Sequence, residues 1–458
     1  MKLNNRRGIY FNRNRIAAHS AGDRLQEPQS TGGEASASPS TEKLAGRRKV
    51  EGPLANTGVQ SWILCAIIAA AAAYLFQRFL PTGPFWEGSF IPDIEQFAGI
   101  FDRHEVKNID FDANFSSSPG LFWLYTITWS WSPISTIIIN VTLLLGAFVG
   151  ICDIFPNSRT ACRIGCAAIL LNGYVLLAIT GPNKDIPVLV LTVFIVRAIV
   201  QKPRLWTLQA FGLSCITYMF RDGYGLILAG VTIIFTLFRQ RQRVRIAFWV
   251  LSLFLVSISA RLLETIPAVA RNREVRENVL AVGASRETNV LGLSTDSGSG
   301  VPRDLLNFIH RATYNVAGLV LYPEFITVNQ KLFVLGIAYW TCGILILIAV
   351  SGALISLLRA VRSRVRQSND FIVAELTVIL WLAISCSSFP HPRYLLPVTP
   401  IGLGLLVATR LRPKVLLGFL ASLVVLVWMT YVLRGVTVFH RANGFIENTT
   451  YILSADRR

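Results

Sequence analysis

Apolar runs of about 17–25 residues recur along this chain, and a helix of that length crosses a hydrocarbon core of roughly 30 Å. With 52% hydrophobic and only 15% charged residues among 458, the chain is too apolar for an ordinary soluble protein. The reading that follows is an all-α, polytopic transmembrane helical bundle of about eleven spans. The first span is expected near 61–80, and the others near 132–154, 162–180, 186–201, 205–220, 223–238, 246–263, 331–357, 371–388, 395–409 and 415–433. The segment 119–131 reads either as an interfacial helix or as an extension of the second span.

Charge supplies the topology. Arg47, Arg48 and Lys49 precede the first span and set the N-terminus in the cytoplasm. Arg159 and Arg163, Lys202 and Arg204, Arg239 to Arg245, Arg359 to Arg366, and Arg410 to Lys414 then fall on that same side, leaving the C-terminus extracytoplasmic. The formal net charge of +18 is thus read as a set of topology signals between spans, and nucleic-acid binding is not expected. The seven cysteines lie mostly in or beside apolar runs, so buried thiols are expected rather than a disulfide framework. Cys162 and Cys166, one helical turn apart with no partner close in sequence, make a weak metal signal.

Three regions divide the chain. Residues 1–58, rich in Arg, Ser, Gly and Pro, read as a disordered basic cytoplasmic tail. Residues 59–433 form the multi-span domain, with long outer loops at 81–118 and 264–330, and 434–458 form an extracytoplasmic tail. Within the second loop, Leu305 to Phe325 reads as an amphipathic surface helix or lid. No internal repeat is evident.

Ionisable groups at span ends are costly and tend to mark ligand sites. Gly181-Pro-Asn-Lys-Asp-Ile-Pro187 is a polar elbow in which Lys184 and Asp185 stand side by side, fixed by Pro182 and Pro187. Its plainer reading is a solvated hairpin whose Lys reaches the interface. On the same side, Arg221 and Asp222 precede Gly223 and Gly225, and the guanidinium can clamp a phosphate bidentately. Alternatively, Arg221 and Asp222 neutralise each other. A third stretch, Ser388 to Pro400, holds four prolines, so its backbone cannot run as one regular helix. There Arg393 is a candidate anion ligand, Tyr394 a packing or sugar-stacking ring, and His391 a secondary candidate for proton transfer. In the first outer loop, Asp93 and Glu95 are candidate catalytic carboxylates, able to take a proton from an acceptor hydroxyl or to hold a divalent cation; a solvated acidic loop is the alternative.

Several of these stretches resemble known membrane enzymes. The acidic first outer loop followed by Ser118-Pro-Gly-Leu-Phe-Trp-Leu-Tyr125 resembles the GT-C type of integral membrane glycosyltransferase. His391-Pro-Arg-Tyr-Leu-Leu-Pro397 resembles the Arg-Tyr-x-x-Pro stretch late in several such families, and Gly181 to Asp185 with Arg221-Asp222-Gly223 is similar to bacterial repeat-unit polymerases of surface polysaccharides. The resemblance implies a multi-pass protein of the bacterial cytoplasmic membrane that transfers sugar from a polyprenyl-phosphate or polyprenyl-diphosphate donor to a glycan acceptor on the outer side. By position, Asp93 or Glu95 would be the base, while Lys184, Arg221 and Arg393 would hold the lipid phosphates. The first loop lacks the paired acidic motif of many metal-dependent members, which leaves a divalent-cation requirement open and also leaves room for a metal-independent mechanism centred on arginine. The competing class is a transporter or flippase of lipid-linked saccharides. For it, Asn140, Asn172 and Arg197 are the candidate midplane polar groups, although Arg197 stands near the cytoplasmic end and can reach the interface. A structural scaffold explains the charge topology but not the cations on the outer face.

Overall fold

The computed structural model describes residues 119–127, 133–239, 241–263, 330–362, 368–386 and 392–433, together with 63, 65–71 and parts of 308–316. The tail 1–58, the loop 81–118 with Asp93 and Glu95, most of 264–330, His391 and the tail 434–458 lie outside the described residues. What is described belongs to one compact unit, Glu51–Arg458.

Those residues are mainly helical, with no strand among them. The helices are α1 (Pro119–Ile127), α2 (Pro133–Ile154), α3 (Arg159–Leu170), α4 (Gly173–Ala178), α5 (Asp185–Gln201) and α6 (Trp206–Phe220). They continue as α7 (Asp222–Leu237), α8 (Gln242–Leu263), α9 (Gln330–Arg362), α10 (Asn369–Ser385), α11 (Val398–Ala408) and α12 (Pro413–Leu433), with a 3-10 turn, Pro392–Leu395, before α11. Two segments, Ile134–Ile154 in α2 and Ile337–Arg362 in α9, are long and apolar enough to cross a membrane.

The sequence places one span at 162–180, but that stretch forms two helices. The Asn172 side chain accepts hydrogen bonds from the backbone N–H groups of Tyr174 (3.1 Å) and Val175 (3.4 Å), so it starts a new helix where the old one would have continued. The Gly173 N–H is turned to the Thr341 hydroxyl of α9 at 3.1 Å. Within the segment at 119–131, read as either interfacial or continuous with the next span, Pro119–Ile127 form helix α1, which packs on α6, and 128–131 lie outside the described residues. Gly120 makes that approach: a Cβ there would lie 3.0 Å from the Met219 backbone.

The core is built on α2, α3, α5, α9, α10 and α11. Helix α2 packs on α5, α3 on α11, α9 on α10 and α11, and the α6–α7 pair leans on α5 through α6. Leu144, Ile151, Ile169, Ile179, Val193 and Ile199 are fully or almost fully buried in it. Helix α11 comes close to its neighbours through small residues, since a Cβ on Gly402 would stand 2.9 Å from the Ala349 carbonyl oxygen of α9.

Two features depart from the sequence reading. Cys152 at the end of α2 and Cys162 in α3 are disulfide-bonded, because the short turn between the helices folds one onto the other. Cys166 is close by, and all three are buried with their sulfurs within 4.8 Å of one another. Arg245, read as part of a water-facing topology signal, is 1% exposed. Its Nε and Nη2 donate to the two carboxylate oxygens of Glu375 in α10, each at 2.6 Å, and its Nη1 donates to the Phe238 carbonyl at 3.2 Å. The guanidinium also lies 4.4 Å from the centre of the Phe235 ring. A lone carboxylate in the apolar run of α10 is the sequence signal for this pair, since a buried Glu demands a cation.

Candidate functional site

The polar elbow after α4 is held by amides. Asn140 of α2, fully buried, directs its amide N–H groups at the carbonyls of Ile179 and Gly181, each at 3.0 Å, and more distantly at Ala178, 3.4 Å. These carbonyls lie at and just past a helix end, where no further turn supplies donors. Tyr125 of α1 donates its hydroxyl to Asn140 Oδ1 at 2.7 Å and accepts the Asn183 N–H at 3.3 Å. Asn183 then caps the next helix: its Oδ1 accepts from the Ile186 N–H at 3.0 Å, while its amide donates back to Gly181 at 2.9 Å.

This scaffold aims Asp185, the first residue of α5, inward, where it is only 4% exposed. One carboxylate oxygen accepts the hydroxyl of the buried Tyr174 in α4. The other faces Arg221 Nη2 at 2.8 Å. Arg221 is the extended joint between α6 and α7, ending one helix and preceding the next, and this backbone turn sends its side chain into the cluster. Its guanidinium carbon stands 4.2 Å from the centre of the Tyr394 ring. Arg393 stands 5.7 Å from the same ring, so two cations lie against one aromatic side chain. Tyr174 in turn stacks on Tyr339 of α9, with ring centres 5.4 Å apart.

Of the residues singled out in the sequence, Asp185, Arg221, Arg393 and Tyr394 therefore gather in one cluster. Lys184 precedes Asp185 as the half-buried residue before α5. Asp222 opens α7, and its side chain is not among those described. Asp93, Glu95 and His391 lie outside the described residues. The plainer reading of the elbow as a solvated hairpin does not hold for Asp185, which is buried against Tyr174 and Arg221. Arg221 has a partner on a different helix, in addition to any neighbour in sequence. Tyr174, Tyr125 and Asn183 join the cluster without having stood out in the sequence; the signal for Tyr174 is a hydroxyl in an apolar run beside the polar elbow, since a buried tyrosine needs a hydrogen-bond partner.

Chemically, the cluster carries two cationic side chains, Arg221 and Arg393, with Lys184 next in sequence to its one described carboxylate, Asp185. An excess of positive charge next to an aromatic ring suits a phosphate joined to a sugar: the guanidinium fork matches phosphate oxygens and the ring matches a sugar face. Asp185 offsets part of that charge and fixes the direction of Arg221. Arg197, the other candidate polar group on α5, lies elsewhere, with its Nε 2.8 Å from Asp153 Oδ2 of α2.

Comparison with family models, with curated proteins and with solved structures finds no match to this chain.

Proposed function

We propose that this protein is a multi-pass membrane glycosyltransferase that uses a polyprenyl-phosphate or polyprenyl-diphosphate sugar at the extracytoplasmic face of a bacterial cytoplasmic membrane. Its product is a cell-surface polysaccharide or glycan, made by single-sugar transfer or by repeat-unit polymerisation. The observation that carries this reading is the pair of arginines, Arg221 and Arg393, against Tyr394 and beside Asp185. In the roles proposed, Lys184, Arg221 and Arg393 stabilise charge on the departing lipid phosphate, and Tyr394 supports the sugar. Asp185 orients Arg221, and Asp93 or Glu95 takes the proton from the acceptor hydroxyl. In the eleven-span topology read from the charge pattern, with the N-terminus in the cytoplasm, the cluster falls at the outer side. Large apolar side chains exposed on α6, α7, α8 and α12, among them Leu208, Leu226, Phe248 and Leu417, support the membrane setting, since a soluble monomer does not sustain such faces in water.

A second reading, transport of lipid-linked saccharides, draws on the break between α3 and α4. Transporters place discontinuous helices and buried polar groups at their binding sites, and Asn172 is fully buried at that break, with Asn140 fully buried at the far end of α4.

The deciding measurement is mass spectrometry of polyprenyl-linked saccharides from cells lacking the gene, complemented with the wild type, Arg221→Ala, Arg393→Ala or Asp93→Asn. Accumulation on the outer leaflet that the variants do not clear supports transfer, and its chain length separates a polymerase from a single-sugar enzyme. Accumulation on the inner leaflet supports transport, and no change in any saccharide rejects both.

A further inference from the structure

Away from this cluster, α5 and α6 part at their other junction to leave a groove of about 650 Å³. Its walls are apolar, with Phe194, Leu208, Leu213 and Gly212 along them, while Arg197, Gln201 and Gln209 gather as its polar groups. Arg197 lies about 18 Å along α5 from Asp185, so the groove is a separate place on the molecule. The groove opens beside exposed Leu205 and Leu208, on a face that water does not favour.

The polar end of the groove carries one cation, Arg197, with Lys202 and Arg204 on either side of the lining Pro203 in sequence. Arg197 keeps 38% of its side chain exposed although its Nε contacts Asp153, and it lies 5.7 Å from the centre of the Phe194 ring. Gln201 is anchored through its amide to the Asp153 carbonyl at 2.6 Å. Just past it, Lys202 takes the left-handed conformation (φ 51°) that ends α5, and exposed Arg204 follows. Partial burial, with Arg239 and Arg245 near it, holds the Lys202 ammonium below its ordinary pKa. Among the described residues, the carboxylate beside the groove is Asp153, and Arg197 already faces it.

We propose that the α5–α6 groove binds an anionic phospholipid, with an acyl chain along Leu208, Gly212 and Leu213 and the phosphate against Arg197 and Gln209. The match is one of charge and shape together: an apolar channel open to the hydrocarbon, ending at the half-exposed Arg197 where headgroups lie. The proposal rests on the membrane setting of the chain and not on its transferase chemistry. The lipid would thus be a bound structural partner at a site distinct from the sugar-donor cluster.

Gly212 provides a clean test. A Cβ built there meets nothing within 4 Å, so Gly212→Leu projects into the groove without displacing a neighbour. It also replaces a helical glycine with a better helix former, and its lipid-free stability should equal or exceed that of the wild type. The detergent-purified full chain is incubated with phosphatidylglycerol or with phosphatidylcholine, and retained lipid is read by native mass spectrometry and by thermal unfolding. The expected result is selective retention of phosphatidylglycerol with a raised Tm, its loss in Gly212→Leu, and retention about fivefold weaker in Arg197→Gln, the loss expected for one cation near an anionic headgroup. Equal retention of the two lipids, or full retention by Gly212→Leu, overturns the proposal. Equal stabilisation by glycerol phosphate, which has no acyl chain, also overturns it, because the groove would then be a plain anion site. Because Arg197→Gln leaves Asp153 without its cation and can weaken folding, Gly212→Leu is the deciding variant.

Discussion

Arg221, in the joint between α6 and α7, holds Asp185 at the start of α5 through an Nη2–Oδ1 contact of 2.8 Å, and the side chains are 12% and 4% exposed. One charge pair thus ties the α6–α7 unit to the polar elbow, with Tyr174 on the second oxygen of the carboxylate. Removing one member of a buried pair strands the other, at a cost of about 3–5 kcal/mol. Asp185→Ala and Arg221→Ala are each expected to destabilise the protein by about that amount, and the double variant by clearly less than their sum. Thermal unfolding in detergent measures the coupling; additive losses would show that the pair does not act as a unit.

Tyr394 presents its ring to both Arg221 and Arg393, at 4.2 and 5.7 Å. Tyr394→Phe keeps that ring and should leave saccharide turnover near the wild-type level. Tyr394→Ala loses both contacts and should cut turnover by roughly tenfold, given about 0.5–2 kcal/mol for each cation–aromatic contact. Clearance of the lipid-linked saccharide by the two variants is the comparison to make, and equal losses would transfer the role from the ring to the hydroxyl.

Arg245 and Glu375 are joined by two parallel contacts of 2.6 Å in the packed interior. Lysine cannot reproduce that fork, so Arg245→Lys should lower stability nearly as far as Arg245→Leu, by about 3–5 kcal/mol. Replacing both partners with leucine should recover much of the loss, because no charge is left alone. Tm values of the three variants decide this, and a mild Arg245→Lys would argue against the bidentate pair.

Asn140 serves carbonyls of the elbow and the Tyr125 hydroxyl at once. Asn140→Leu, similar in volume, should destabilise by about 1–3 kcal/mol for each polar group it leaves unsatisfied. It should also impair any activity that depends on Asp185, since the elbow that aims the carboxylate loses its support. Asp185→Ala added to Asn140→Leu would then cost little further activity, whereas independent losses would separate the elbow from the site.

Gly402 lets α11 lie against α9 with a prospective Cβ 2.9 Å from a backbone oxygen. Gly402→Leu should force the helices apart and cost about 1–3 kcal/mol. Gly418, on α12, has nothing within 4 Å of a Cβ, so Gly418→Leu should be neutral or stabilising. Matched unfolding curves of the two variants test the assignment of close and open helix faces.

Most helices could be read from hydropathy, because the length of an apolar run is a local property that one stretch of chain carries by itself. The run at 186–201 is α5, that at 205–220 is α6, and that at 371–388 is most of α10. The break at Asn172 is hidden for the opposite reason: one side chain capping two N–H groups overrides a run that stays apolar on both sides. Prolines and charges at span ends likewise point to Asp185, Arg221, Arg393 and Tyr394, since such groups are expensive beside lipid wherever they occur. Their pairing is not legible. Arg221 and Asp222 are adjacent in sequence, yet it takes the packing of α6 on α5 to set Arg221 against Asp185, and of the 392–395 turn to bring in Tyr394. Glu375 and Arg245 repeat the point, each conspicuous alone and joined only where α8 meets α10. The cost of a polar group in an apolar run is written into the sequence, whereas the partner that relieves it depends on which helix ends meet in space, and tertiary packing alone decides that.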